Sequence, residues 1–141
     1  MWEKAIDKVQ AAEAAAETDR MIKISFCLRR LPQLTHEEFQ QHWHEVHAPL
    51  VRKYQQVLRI TRYIQFHSHL GAVSERLRGF RNSSEAFDGI AEIWYESREA
   101  LETLGKDPEA RKASRELLED EKRFVDLSRS PIMAGVEKVI F

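Results

Sequence analysis

The sequence predicts an α+β domain in which a β-α-β-β-α-β core follows an extra N-terminal helix. Three observations predict it. The hydrophobic period switches repeatedly between two and about 3.6 along the chain. Four segments carry the period of two, and the two helical stretches between them open on recognisable capping signals.

Residues 3–17 come first, with Ile6, Val9 and many alanines set among Glu and Lys. These are good helix formers with a thin apolar face, and such a helix is marginal alone. Residues 1–20 are therefore expected to form a helical extension that docks on the body of the protein, docks on a partner subunit, or frays. One domain, 21–141, follows it. Met21 to Leu28 alternates Ile22, Ile24, Phe26 and Leu28 with Lys23, Ser25 and Cys27, a strand that Pro32 stops. Thr35 and Glu38, three apart, form a capping box for a helix whose apolar stripe is Phe39, Trp43, Val46, Leu50 and Tyr54. Residues 59–69 alternate again, with Ile60, Ile64 and Phe66 on one face and Tyr63, His67 and His69 on the other.

Residues 70–86 show no clear period and read as a long loop. Phe87 to Glu96 is a third strand, setting Phe87, Gly89, Ala91, Ile93 and Tyr95 opposite Asp88, Ile90, Glu92, Trp94 and Glu96. A second helical region runs from about Ser97 to Leu127. Gly105 breaks it, Asp107 and Pro108 restart it as cap and first helical residue, and Ala110, Ala113, Leu117 and Phe124 form its buried stripe. After Pro131, Ile132 to Phe141 closes the chain as a last strand. This order is the split βαβ, or ferredoxin-like, pattern. Its helices cover one sheet face, and a symmetric homodimer covers the other most directly.

Composition narrows the function. A chain of 141 residues suits one domain with a real core. The net charge of −1 gives no footprint for nucleic acid or an anionic membrane. Cys27 stands alone, so no intrachain disulfide forms and a reducing, cytoplasmic setting is expected. No apolar run approaches the roughly 20 residues that span a bilayer, and the charged N-terminus lacks the apolar centre of a signal peptide.

Four segments, in this order, resemble an EthD-domain protein, a branch of the dimeric α+β barrel superfamily. They are FCLRRLPQLTHEEFQQHWHEVHAPLV, FDGIAEIWYES, DEKRFVD and VEKVIF, and the likeness covers about residues 21–141. The resemblance implies a ferredoxin-like protomer paired with a second copy through its sheet. Members in fungal aromatic polyketide pathways resemble cofactor-free tailoring enzymes, and related barrels include polyketide cyclases, lactone isomerases and cofactor-independent monooxygenases. What it implies here is cofactor-free acid–base chemistry (cyclisation, dehydration, decarboxylation or isomerisation) on an aromatic or polyketide-like substrate. A non-catalytic ligand-binding or accessory dimer is the alternative, since fold kinship does not choose between them.

Four of the six histidines, His36, His42, His44 and His47, crowd the first helix of this region, and Pro49 follows two residues after the last. At about 100° per residue, His47 falls at the flank of the apolar arc, between Trp43 and Leu50. His42 and His44 diverge from it. Pro49 has no N–H, so the Glu45 carbonyl loses its helical partner and a kink is expected beside His47. His47 is the expected proton-moving group, and the resemblance matches it to the family's HAPL-type histidine. The plainer alternative is a core histidine satisfied by a carboxylate.

Asp88 and Glu92 share one face of the third strand. If that face meets the first helix, burial would raise a carboxylate toward neutral pH, where it could orient His47 or share its proton. Otherwise the face is exposed or lies at a dimer rim. Trp43, Tyr63, His67 and Trp94 are candidate pocket residues, with Tyr63 or His67 holding a developing oxyanion. Arg29 ends the first strand where a substrate carboxylate or enolate would be met, and Arg76, Arg78 and Arg81 make the loop basic, compatible with a phenolate. HWHEVH is not the HExxH pattern of zinc hydrolases. His44 and His47 would need His67 or His69 as a third ligand, so neither metal nor cofactor is expected, and a His-based metal or haem site is the third alternative. Cys27 reads as an inert buried thiol, and no nucleophile elbow, P-loop or dinucleotide fingerprint is present.

Overall fold

Each alternating run becomes a strand. The computed structural model describes residues 2–141, with side chains at 2–12 and 21–141. Its strands are β1 (Ile22–Leu28), β2 (Ile60–His67), β3 (Gly89–Tyr95) and β4 (Ile132–Gly135). Its helices are α1 (Trp2–Arg20), α2 (His36–His42), α3 (Ala48–Lys53), α4 (Ala72–Arg81), α5 (Arg98–Thr103) and α6 (Pro108–Glu121). A π-helical turn, Trp43–His47, joins α2 to α3 without a break. The strands pair antiparallel in the order β2-β3-β1-β4, which is the ferredoxin-like arrangement.

Period two assigns the faces. Ile22, Phe26 and Leu28 of β1 and Ala91 and Tyr95 of β3 are buried toward the helices. Gly89 belongs to this face because a Cβ there would fall inside the Trp43 ring and onto the Phe66 carbonyl. The opposite face carries Lys23, Ser25, Cys27, Ile64, Phe66, Ile90, Glu92, Trp94 and Met133, as the register requires. Ile60 departs from its expected side. A bulge between Ile60 and Arg62 places Thr61 out of register, so Ile60 turns into the helix-side core with Ile22 and Val51.

The helices start where the sequence placed them. Thr35 and Glu38 form the capping box of α2, and Asp107 caps α6 with Pro108 in its first turn. Phe39, Trp43 and Phe124 are fully buried, with ring centroids 5.6 Å (Phe39–Trp43) and 5.4 Å (Phe39–Phe124) apart. Tyr63 bridges this aromatic cluster to the aliphatic cluster built on Ile22, Val51, Leu58 and Ile60.

Four expectations are corrected or narrowed. Residues 70–86 are not a long loop: α4 occupies most of them and ends on Asn82, whose left-handed φ of 47° closes the helix. Gly71, Gly79 and the serines hide its stripe of Val73, Leu77 and Phe80, all exposed. The last strand stops at Gly135 rather than Phe141: its ladder with β1 ends at the Lys23–Gly135 pair, one residue short of the start of β1. The helix over 3–17 is present as α1, but every described side chain on it, Trp2 to Ala12, is exposed. It does not dock on its own domain through those residues. Cys27 is half-buried on the open face of the sheet rather than sealed in the core. Among the described residues no helix is long and apolar enough to cross a membrane.

Candidate active site

An ideal α-helix would bury Phe39, Trp43, Val46 and Leu50 on successive turns. The buried residues are instead Phe39, Trp43, His47 and Val51, each four apart, and Val46 is 49% exposed. The π turn accounts for the change. The Ala48 N–H donates to the Trp43 carbonyl five residues back, and this wider turn rotates His47 into the place Val46 would have held. Pro49, which cannot donate to the Glu45 carbonyl, makes the regular α continuation unfavourable there. The Gln65 side chain also donates to the Trp43 carbonyl, at 2.8 Å, securing the turn to β2. The expected disturbance beside Pro49 is thus a π turn.

Helix α6 supplies what His47 meets. Its stripe of Ala113 and Leu117, continued by Phe124 in the turn that follows, carries Asp120 at the next helical position, so this carboxylate is buried with the apolar residues. Asp120 accepts from His47 Nδ1 at 2.8 Å through one oxygen and faces His42 Nε2 at 3.0 Å through the other. Burial would raise the Asp120 pKa, but the hydrogen bonds and charges of the two histidines outweigh it and hold the group below its usual value. Burial lowers the pKa of His47, partly offset by Asp120. The neutral imidazole therefore keeps its proton on Nδ1, facing Asp120, and leaves Nε2 as a free base. Both histidine rings rest on Phe124, at centroid distances of 5.2 Å for His47 and 4.7 Å for His42.

His47 Nε2 looks toward Glu121 Oε1, 3.9 Å away. Burial, reinforced by the adjacent Asp120 charge, pushes the Glu121 pKa up to about 7. Both groups line a cavity of about 330 Å³ between the sheet and α6. Its walls are Phe26, Leu28, Trp43, Val51, Ile60, Tyr63, Ile93, Leu117 and Phe124, with exposed Ser114 and Ile132 at the rim. Tyr63 accepts from Gln65 at 3.1 Å, and its burial raises its pKa. A base, a weak acid and a phenol thus share one small apolar chamber, which is the equipment of proton transfer.

Of the residues expected from sequence, His47, Trp43 and Tyr63 meet at this cavity. Asp88 and Glu92 do not. Glu92 lies on the open sheet face, paired with Lys23 at 3.1 Å. Asp88 precedes β3 and is held by the Arg30 backbone at 2.9 Å, the Arg30 guanidinium at 2.5 Å and His36 at 2.8 Å. Burial alone would raise the Asp88 pKa, but these partners lower it below the usual range, opposite to the expected rise. His67 stacks on the far side of Trp43, 4.4 Å between centroids, and donates toward Gln65, outside the cavity. Trp94 lies on the open face beneath Lys23 and Arg62. Arg29 packs over Phe87 beyond the sheet end. His42 does not diverge from His47 as expected, because one carboxylate from α6 collects both. The signal for Asp120 and Glu121 was present: they lie three and four residues after Leu117, on an otherwise apolar stripe. Among the described residues no three His, Cys, Asp or Glu side chains converge as metal ligands.

Residues 31–128 match the EthD domain. This chain belongs to the EthD domain family. The match takes in α2, the π turn, α6 and all the cavity-lining histidine and carboxylate residues. No curated protein matches the chain by sequence. Among solved structures, the EthD domain is similar to an EthD family protein of Bacillus halodurans C-125, with 20% identity and a TM-score of 0.55 over 83% of this chain and 98% of that one. An EthD-like protein of Ralstonia eutropha JMP134 shows 16% identity and a TM-score of 0.52 over 87% and 95%. A hydroxynitrile lyase of Passiflora edulis shows 11% identity and a TM-score of 0.54 over 87% and 98%. At these identities the likeness speaks for the fold.

Proposed function

We propose that this EthD-domain protein is a cofactor-free enzyme that moves a proton on a small, largely apolar, aromatic or polyketide-like molecule. One observation carries the reading. In a single apolar cavity, His47 is fixed by Asp120 with its free Nε2 turned inward, beside a carboxyl group that burial keeps protonated to near neutral pH. His47 takes a proton from the bound molecule, Asp120 holds the ring and balances the imidazolium, and Glu121 returns a proton to the substrate oxygen. Tyr63, which lines the same cavity, would be a second donor to that oxygen. Cyclisation, dehydration and isomerisation can each begin with this proton transfer, whereas a decarboxylation starts from a carboxylate and loses carbon dioxide rather than a proton. The fold, which a hydroxynitrile lyase also uses, does not choose between them. A homodimer formed through the open sheet face, in a reducing cytoplasmic setting, belongs to the same reading. The apolar residues on that face and the lone Cys27 support it.

The test is His47→Ala, with turnover and ligand binding measured on the same preparation. Turnover should fall by about 10²–10⁴-fold while binding persists, as expected for loss of a general base. Binding without product in the wild type would identify a carrier or accessory protein instead.

A further inference from the structure

The composition of the cavity wall goes beyond where the proton moves. Among the described residues, those that enclose it include no lysine and no arginine, and the titratable groups at its polar end are the neutral His47 imidazole and Glu121. Cations of the molecule stand elsewhere: Arg29 and Arg30 lie beyond the sheet end, Arg62 and Lys23 on the open face, and Arg123 on the solvent side of Asp120. An anionic ligand in this chamber would lose its hydration, find no counter-charge and face the Glu121 carboxyl. The backbone gives no substitute, because the wall residues sit in helices and strands or, like Leu58, Phe124 and Val125, in turns whose N–H groups already donate to backbone carbonyls.

Size bounds the ligand as firmly as charge does. A cavity of roughly 150 Å³ holds benzene, and ligand sites usually start near 300 Å³, so about 330 Å³ admits one or two rings with a short substituent. The polar atoms sit together. His47 Nε2 and Glu121 Oε1 are 3.9 Å apart, a span that one carbonyl or hydroxyl oxygen and its neighbouring carbon fit. The remaining wall is aliphatic and aromatic.

We infer that the cavity selects a neutral molecule, a one- or two-ring hydrocarbon body bearing a single carbonyl or hydroxyl head at His47 and Glu121, and rejects the corresponding carboxylate. This rests on the proton-transfer reading for the direction in which the head points. The exclusion of anions rests on the wall alone. It turns away from the sequence-based expectation that Arg29 or a basic loop would receive a carboxylate or phenolate, since neither reaches the chamber.

Titration of the full chain with matched probes tests the inference, using quenching of tryptophan fluorescence and calorimetry at about pH 7.5. The probes are benzaldehyde, benzyl alcohol, 2-naphthaldehyde, benzoate, 2-naphthoate and 9-anthraldehyde. The one- and two-ring aldehydes and the alcohol should bind. The two carboxylates should bind at least about 30-fold more weakly, roughly one and a half decades of affinity, and the three-ring aldehyde should not enter. In Glu121→Gln, an isosteric change that removes the carboxyl, benzoate should gain affinity relative to the neutral probes by about threefold or more. Carboxylates binding as tightly as aldehydes, or no neutral probe binding at millimolar concentration, would overturn the inference. Selective binding with no turnover of any neutral compound would instead defeat the catalytic reading and leave the selectivity intact.

Discussion

Two histidines share one buried carboxylate at Asp120, and only one of them faces the cavity. That asymmetry makes Asp120 a positioning residue that acts through His47. Asp120→Asn keeps the shape but removes the charge that raises the His47 pKa. Turnover should drop by about 10²–10⁴-fold, as when the orienting acid of a catalytic histidine is neutralised. The acid limb of the pH profile should also move to lower pH. A purely structural role would change stability and leave that limb in place. Glu121 supplies a second residue-scale prediction, in stability. Its folded pKa of about 7 lies above the ordinary 4.5. Its stabilising contribution is thus complete below about pH 4.5 and lost as the pH rises through about 7. His47 runs the other way: its depressed pKa gives stability that is present above 6.5 and lost as the pH falls below that value. Comparing wild type with Glu121→Gln separates the two. Between about pH 5 and pH 8, urea unfolding should show wild type losing on the order of 1–2 kcal/mol relative to the variant. Parallel curves would argue against the raised carboxyl.

The π turn, at the scale of an element, is what converts a flanking histidine into an inward one. Pro49→Ala supplies the N–H that the Glu45 carbonyl lacks and lets the helix run on as α. Stability should hold or rise, since an interior proline costs a helix about 3 kcal/mol. Val46 should then turn inward, and His47 should leave Asp120. The Nδ1 proton of His47, followed by NMR, should lose its downfield shift, and turnover should fall about tenfold or more. Retention of both would show that the turn is set by packing under Trp43 alone. The same element marks how far the sequence can be read. Strand alternation, the Thr35–Glu38 box and the Asp107–Pro108 restart were legible because each is a local signal that the fold respects. His47 was legible as the special histidine, through Pro49. The 3.6-residue wheel, however, assumed a regular helix, so it buried Val46 and scattered His42. Asp88 and Glu92 were misplaced for another reason: alternation says which residues share a face, but not which face meets the helices. Asp120 and Glu121 carried a local signal, their place on an apolar stripe, but not a role, because the partner that gives Asp120 its role, His47, lies 73 residues away.

For the whole molecule, the ferredoxin-like sheet has two sides and its helices serve one. An antiparallel sheet with a wet face normally alternates to polar residues there. This open face instead presents Ile64, Phe66, Ile90 and Met133 around the Lys23–Glu92 pair, with Phe66 at 57% and Met133 at 53% exposed. Exposed Val73, Leu77 and Phe80 of α4 follow at one end of β2. Monomers rarely leave a continuous apolar face of more than a few hundred Å² to water, whereas a stable interface needs about 800 Å² from each partner. A second copy packed sheet to sheet would satisfy both. Phe66 and Ile90 are register partners on neighbouring strands, so Phe66→Glu with Ile90→Glu places two like charges side by side at the centre of such a contact and opposite two more on the other copy. Sedimentation equilibrium at about 10 µM, in the range where interfaces of this size hold, should give a dimer for wild type and a monomer for the double variant. Because Phe66 already faces solvent in the isolated chain, the variant's circular dichroism should be unchanged. A monomeric wild type would remove the homodimer from the reading. The cavity on the other side of the sheet, with His47, Asp120 and Glu121 drawn from one chain, should then still bind its neutral probes in the monomer.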